Sequence, residues 1–595
     1  MDDLVNQICH MFINPAKQLG MMKDVKIRIN NKSNYKRRSN PWFNKDCDKL
    51  RSEYIKAKKV FKETKSDNDR NVCHSISKRY KKLLAKCKRE FRRKTYVKLR
   101  TMKKSKPEKF WSVLNNSIST NDKNNIIDMD RFKQHFENLG QSTNKENVHN
   151  FDPRLITHSN NEEINTSIAV EEVMTQIKKL NNNKAAGVDL IINEFLKNSR
   201  DDITSLIVQL FNIVLNTGIV PTSWTMGCIK PIFKNTGDPS DPSNYRGITL
   251  LSCLGKLFTA VINDRLTSYL NCVGSLGEEQ AGFRAGYSTL DHIFVLHSVI
   301  DLYLHNKKRV YCAFIDYKKA FDLIDRTSLW FKLISNHING QIITVIYNMY
   351  NQAKSCVIDG SDKSDFFNCN VGVRQGENLS PLLFAIYLND FEYFISKHYN
   401  GLKYMASEIK TYLSNEDIEV FLKLFTLLYA DDTIVLSESE TELQSAINAV
   451  YTYCNEWHLT VNANKTKVVI FSRGRVKKYP AFKFGNETIE VTFYYIYLGI
   501  TFNYNNKFRK AICKQTNQAR CAMFSLLMKA KKLCLPIDIQ LELFRHLVVP
   551  VLLYGCEIWG HADLSQIESF YLKFCKRLLK VHKNTANFMV YGELG

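Results

Sequence analysis

The sequence predicts an α/β fold preceded by a basic helical extension. Three observations carry this. Helical and strand-like hydrophobic patterns alternate from about residue 160 to about residue 500. Within that region two apolar runs, Tyr311–Ile315 and Leu427–Ala430, each end in a carboxylate. From Asp48 to Leu99 there is neither Pro nor Gly, and Lys and Arg crowd around a thin apolar set, the pattern of long basic helices.

Composition narrows the function. The 595 residues hold 84 Lys plus Arg against 59 Asp plus Glu, a net charge of +25. A folded chain with that excess repels itself unless a polyanion neutralises it, so nucleic acid is the leading partner and an anionic membrane surface the second. Hydrophobic residues make 44% and charged residues 24%, a globular balance. The start is acidic and lacks an apolar core, unlike a signal peptide, and no apolar run reaches 18 residues; no membrane span is expected. None of the 16 cysteines forms a C-x-x-C pair, so they read as reduced thiols of an intracellular protein, nuclear or cytoplasmic and not secreted.

Taken in order, residues 1–165 form the basic extension and a linker. Its runs include Lys36-Arg37-Arg38, Arg92-Arg93-Lys94 and Lys103–Lys106, then a turn-rich stretch with one helical pattern near Met129–Leu139. Lys184–Asp189 reads as a turn before a helix. Trp224–Leu251 reads as two strands joined by a Gly/Asp/Pro loop, with Lys234 and Arg246 on either side of it. Gln280–Thr289 contains a small-residue turn that Ser288 can cap into a helix. Tyr311–Asp316 is a strand, and Tyr317–Asp322 is taken as the start of the following helix. Val373–Pro381 leads into an apolar helix at Leu382–Leu388, and Tyr393–Phe425 reads as an insertion. Leu427–Leu436 is a hairpin turning at Asp431-Asp432. The last hundred residues return to basic helices.

The carboxylates are the chemical signal. Two adjacent Asp at a turn between buried strands repel each other unless a cation neutralises them. A third Asp delivered at a strand end completes a set suited to Mg²⁺, which prefers oxygen ligands and also binds substrate phosphates. Two such ions suit in-line phosphoryl transfer.

Phe314–Asp322 and Tyr429–Asp432 resemble motifs A and C of reverse transcriptases, in particular those of jockey-like non-LTR (LINE-type) retrotransposons. The resemblance covers about residues 170–595 and, more loosely, Asn40–Phe43 with the basic helices after it. It implies a right-hand polymerase with fingers (166–305), palm (306–500) and a thumb-like helical region (501–595). In the palm, Asp316, Asp431 and Asp432 would hold two Mg²⁺, with Mn²⁺ as a substitute and Asp432 the weaker ligand. Lys234 and Arg246 would cradle the incoming triphosphate, with Lys230 competing for the role of Lys234. Arg284, in Gln280–Thr289, would touch template. Phe321 would be the steric gate beneath the sugar. Gln375 and Gly376, in a segment resembling motif B, would face the nascent pair. Lys465 would protonate pyrophosphate, with Lys467 as its rival, and Tyr497-Leu498-Gly499 would grip the primer. The implied function is an RNA-directed DNA polymerase acting on deoxynucleoside triphosphates, an RNA template, and a DNA primer or nicked target. The alternative is an inactive nucleic-acid-binding remnant. No endonuclease residues are apparent in 1–150, so nicking is expected in trans, and the C-terminus reads as truncated.

Overall fold

The computed structural model describes residues 1–20, 22, 42–105, 127–141, 161–277, 280–284, 286–360, 362–399, 401–402, 426–474, 476, 479–533 and 535–594. The run Lys36-Arg37-Arg38, residues Asn40 and Pro41, Lys106 and most of the expected 393–425 insertion lie outside them. The chain divides into two units, Met1–Asp24 with Asn125–Phe508, and Val25–Asn124 with Arg509–Gly595.

The first unit is built on two sheets. Strands β1 (Met226–Phe233) and β2 (Tyr245–Leu250) form the expected antiparallel pair, and β4 (Lys354–Asp359) runs parallel to β1, with β5 (Asp362–Lys363) and β6 (Phe367–Asn368) beside it. The second sheet has the order β10-β11-β9-β3-β8-β7. These are β3 (Val310–Asp316), β7 (Thr426–Tyr429), β8 (Asp432–Ser437), β9 (Lys467–Phe471), β10 (Phe482–Phe484) and β11 (Glu487–Thr492). Cys312 to Ile315 of β3 are all buried, so the strand is hydrogen-bonded on both sides, by β8 and by β9. A buried run that ends in Asp has one place for the charge, the strand's exit from the core. Antiparallel pairing then puts the first residue of β8 at the same end.

Helices α1 (Asp2–Gln18), α2 (Val170–Lys179), α3 (Asp201–Thr217) and α4 (Cys253–Cys272) bury their apolar stripes in the main core. The Lys184–Asp189 segment has a local role here. Ser252 caps α4 by accepting from the Gly255 amide, and its hydroxyl donates to Asp189 at 2.5 Å. A Cβ on Gly187 would stand 2.4 Å from the Leu251 carbonyl carbon, so only glycine lets the two segments meet. A small hairpin, β12 (Tyr494–Tyr497) and β13 (Ile500–Asn503), turns through Leu498 at φ +43° and Gly499 at φ +90°.

Two expectations are corrected. Residues 1–165 do not behave as one extension, because α1 and helix Met129–Gly140 pack within the first unit. Phe132 of that helix is buried against Tyr245 of β2, at 4.8 Å between ring centroids. Tyr317–Asp322 is not the start of a helix either. Lys319 takes a left-handed φ of +49°, which interrupts helical hydrogen bonding. The helix begins only at Arg326, where Asp325 accepts from the Ser328 amide.

In the second unit, the stretch without Pro or Gly forms two helices, Lys45–Thr64 and Asp67–Ser105, broken at Lys65, φ +50°. Tyr54 stacks on Tyr80, and Cys47 Sγ lies 3.7 Å from Cys87 Sγ. The C-terminal helices Arg509–Leu533, Ile537–Leu547, Ser565–Leu579 and Asn587–Leu594 share a separate core, with Phe544 stacked on Phe574 at 3.9 Å.

Candidate active site

The register of β3 against β8 pairs Asp316 with Asp432 directly across the strands, and Asp431 occupies the turn between β7 and β8. Carboxylates from two segments distant in sequence therefore gather at one end of the six-stranded sheet. Burial and the charges of its two partners push the Asp432 carboxyl up to about 6. Burial also raises Asp431, with Asp316 adding to the effect while Arg246 and Lys465 oppose it. Solvent-accessible, mutually repelling oxygens of this kind are the donor chemistry of a hard divalent cation. Among the described residues no three acidic, imidazole or thiolate groups already stand in a closed coordination cluster. The carboxylates fit Mg²⁺ by the chemistry of their donor oxygens, as groups that the cation itself would draw together.

The loop that bears Lys465 is stitched to Asp316. The Asn462 amide donates to the Asp316 carbonyl at 2.7 Å, and the Asp316 amide donates to Thr466 Oγ1 at 3.2 Å. This brings Lys465 Nζ to 3.6 Å from Asp316 Oδ2. Lys467 points elsewhere and pairs with Glu490 at 2.6 Å, which separates the two rivals.

A second cluster surrounds Asp322. Its buried carboxylate accepts from Gln375 Nε2 at 2.7 Å. Burial raises its pKa, and Gln375, Lys319, Arg246 and Lys234 pull it down. Arg246 and Lys234, on either side of the β1–β2 loop, thus both act electrostatically on Asp322, and Lys234 also donates to the Ser243 carbonyl at 3.0 Å. Lys319 was not singled out from the sequence. Burial lowers its ammonium, Asp322 opposes that, and Lys234 adds repulsion. The Asp316-to-Asp322 turn places it there, a bend the helix expectation had concealed.

Phe321 stands beside this cluster. Its ring stacks on Phe384 at 4.6 Å and meets Phe283 edge-on at 6.0 Å. Gly376 has φ +105°, and a Cβ there would come within 2.9 Å of the Thr249 carbonyl, so the glycine permits close approach to β2. Arg374 is structural: its guanidinium donates to the Trp224 carbonyl at 2.8 Å and to that of Thr225. A cavity of about 90 Å³ lies behind these residues, lined by Phe136, Gly247, Asp322, Arg326, Val373 and Gln375 among others.

Other assigned residues have local partners. Arg284 donates to the Gly277 carbonyl at 2.7 Å and lies over the Tyr287 ring at 4.6 Å. The Tyr497 ring is buried, with its hydroxyl 3.4 Å from His292 Nδ1, so the hairpin offers its turn, Leu498-Gly499, rather than that ring. Asp432 and Asp316 add to the burial that pushes the Tyr495 hydroxyl up to about 12.

Residues 232–502 match the family model described as reverse transcriptase (RNA-dependent DNA polymerase). This segment is a reverse transcriptase domain. The match bears out the resemblance read from the motifs and the right-hand polymerase class. The chain is 26% identical over 427 residues to the RNA-directed DNA polymerase from mobile element jockey of Drosophila melanogaster, covering 70% of this chain and 44% of that one. It is 27% identical over 421 residues to a probable RNA-directed DNA polymerase from transposon X-element of the same species, covering 67% and 42%. A polyprotein of the type-1 retrotransposable element R2 of Popillia japonica matches at 24% over 391 residues, covering 63% and 51%. The chain thus spans less than half the length of the jockey relative. Among solved structures, telomerase from Candida albicans aligns with TM-score 0.34 and 11% identity, covering 66% of this chain and 68% of that one. No helix among the described residues is long and apolar enough to cross a membrane.

Proposed function

We propose that the chain is an RNA-directed DNA polymerase of a jockey-like non-LTR mobile element, extending a primer 3′-hydroxyl with deoxynucleoside triphosphates on an RNA template. The observation that carries this reading is the β3–β8 register, which sets Asp316 opposite Asp432 beside the turn bearing Asp431. Asp316 and Asp431, with Asp432 as a weaker ligand, would hold two Mg²⁺, or Mn²⁺ in their place. Bound there, the ions supply activation of the attacking oxygen and stabilisation of the leaving one.

The chain's own residues do the rest. Arg246, Lys234 and Lys319 offer positive charge to the triphosphate, Arg through a bidentate fork. Phe321, held by Phe384, fills the volume that a 2′-hydroxyl would need. Gln375 and Gly376 shape the floor under the new pair. Lys465 carries a proton for departing pyrophosphate. The turn at Leu498-Gly499 and the fork of Arg284 serve primer and template. Positioning of this kind accounts for much of phosphoryl-transfer catalysis. Nicked target DNA as the natural primer, with the nick made in trans, belongs to the same proposal.

The test is primer extension on an RNA template with Mg²⁺, beside Asp316→Ala and Asp431→Ala. Each variant should lose roughly a thousandfold in rate, the equivalent of about 4 kcal/mol. Extension that survives Asp431→Ala would remove the assignment. Template binding without extension in the parent chain would favour the binding remnant.

A further inference from the structure

The turn that carries Asp431 is held from outside its own hairpin. Ala430, the residue before Asp431, has a φ of +56°. A left-handed alanine costs roughly 1–2 kcal/mol relative to the ordinary conformation, so something must hold it there. β7 is an edge strand of the palm sheet, and the segment Gln280–Gly282 lies along it. The Ala281 amide donates to the Leu428 carbonyl at 3.1 Å, and Gln280 pairs with Leu428 as a parallel bridge.

From this backbone seat the Gln280 side chain reaches the turn. Its Oε1 accepts from the Ala430 amide at 3.1 Å and from the Gly282 amide at 3.0 Å. The residue is only 3% exposed, and its Nε2 is buried without a hydrogen-bond partner among the described residues. Leaving a buried donor unpaired costs about 1–3 kcal/mol, a sacrifice that packing alone would avoid by using Met or Leu. What the amide secures is the acceptor, placed at the one backbone N–H next to the acidic pair. Gly282 allows the approach, since a Cβ there would fall 2.3 Å from the Ala430 nitrogen.

We propose that Gln280 is a positioning residue for the acidic turn: by accepting the Ala430 amide it holds the strained backbone that aims Asp431 at a divalent cation. This rests on the polymerase reading of the three carboxylates. In sequence terms the Gln-x-Gly part of Gln280–Thr289 then acts on the metal-binding turn, while the residues after it face the nucleic acid.

The experiment measures Mn²⁺ binding to the metal-free full chain by electron paramagnetic resonance, with no substrate and no turnover. Gln280→Leu should weaken binding roughly tenfold, the usual scale for loss of a group that orients a ligand. Its thermal midpoint should stay close to the parent's. Gln280→Glu, which keeps the acceptor oxygen, should recover the affinity. Should the leucine variant fail to fold, Gln280→Asn, the same amide one methylene shorter, should show the same weakening. Equal Mn²⁺ affinity in the parent and in Gln280→Leu, or in the parent and Gln280→Asn, would overturn the positioning role alone, provided Asp431→Asn abolishes binding in both. A glutamate variant as weak as the leucine one would overturn it too. A parent chain whose Mn²⁺ binding is indifferent to Asp431→Asn would instead sink the polymerase reading on which it stands.

Discussion

Arg326 offers the sharpest structural prediction, because it donates four hydrogen bonds to backbone carbonyls, three of them on the loop that leads into the site. Its Nε donates to the Gly372 carbonyl at 3.0 Å. Nη1 donates to Tyr350 and Cys369 carbonyls, both at 2.7 Å, and Nη2 to Val371 at 3.2 Å. Burial pushes the guanidinium down to about 10, with the Tyr350 hydroxyl opposing and Arg374 reinforcing, so it remains a cation at neutral pH. Three of the four acceptors belong to the loop that runs directly into Arg374-Gln375-Gly376. That loop is zipped to the turn after Asp316, through Gly372 N to Ile324 O and Val373 N to Phe321 O, both 2.8 Å. Arg326→Met keeps the apolar stem and removes every donor. At about 1 kcal/mol for each buried acceptor deprived of a partner, less the relief from no longer burying a charge, the loop should lose roughly 2–4 kcal/mol of local stability. Hydrogen exchange by mass spectrometry on a peptide spanning 369–376 should then accelerate roughly 30- to 1000-fold. Arg326→Lys, with a single donor point, should lie between. Unchanged exchange at Gly372 and Val373 in the methionine variant would refute the reasoning.

Two further predictions concern selectivity and pH. Phe321→Ala should raise the ribonucleotide to deoxyribonucleotide ratio of kcat/KM by at least about tenfold, and Phe384→Ala should move it the same way with Phe321 intact. A ratio indifferent to Phe321→Ala would refute the gate. Lys332 is buried against Asp390 with its ammonium 3.5 Å from the Trp457 ring centroid, and burial lowers its pKa to about 8, with Asp390 opposing. A cation with a folded value below its unfolded one binds its proton less tightly when folded, so its contribution to stability rises between about pH 8 and the ordinary lysine value and is smallest below pH 8. Across that window the parent should gain up to ~3 kcal/mol relative to Lys332→Met in urea unfolding. Parallel pH profiles for the two chains would contradict the buried-cation account.

How much of this was legible beforehand differs from residue to residue. Asp316 and the Asp431-Asp432 hairpin could be found through their resemblance to motifs A and C of reverse transcriptases; an acidic pair at a turn, taken alone, is more often simply solvated, and the local pattern supplied only the strands on either side. Lys465 could be named but not separated from Lys467, since a two-residue difference in a loop decides which one reaches Asp316. The turn at Lys319 was missed because a left-handed residue without glycine leaves no compositional mark. Gln280, Asp322 and Arg326 were invisible as site-shaping groups, since each acts on backbone or side chains far away in the chain.

The residues alone thus determined the charge, the basic helices and the individual strands, all properties set by neighbours along the chain, and the resemblance of two short motifs singled out the acids. Pairing was decided only in three dimensions. The antiparallel register of β3 with β8 opposes Asp316 and Asp432, and the left-handed bend at Lys319 turns a cation back toward Asp322. Such contacts depend on which strands close long loops upon each other, an outcome governed by burial of the whole core rather than by any local preference.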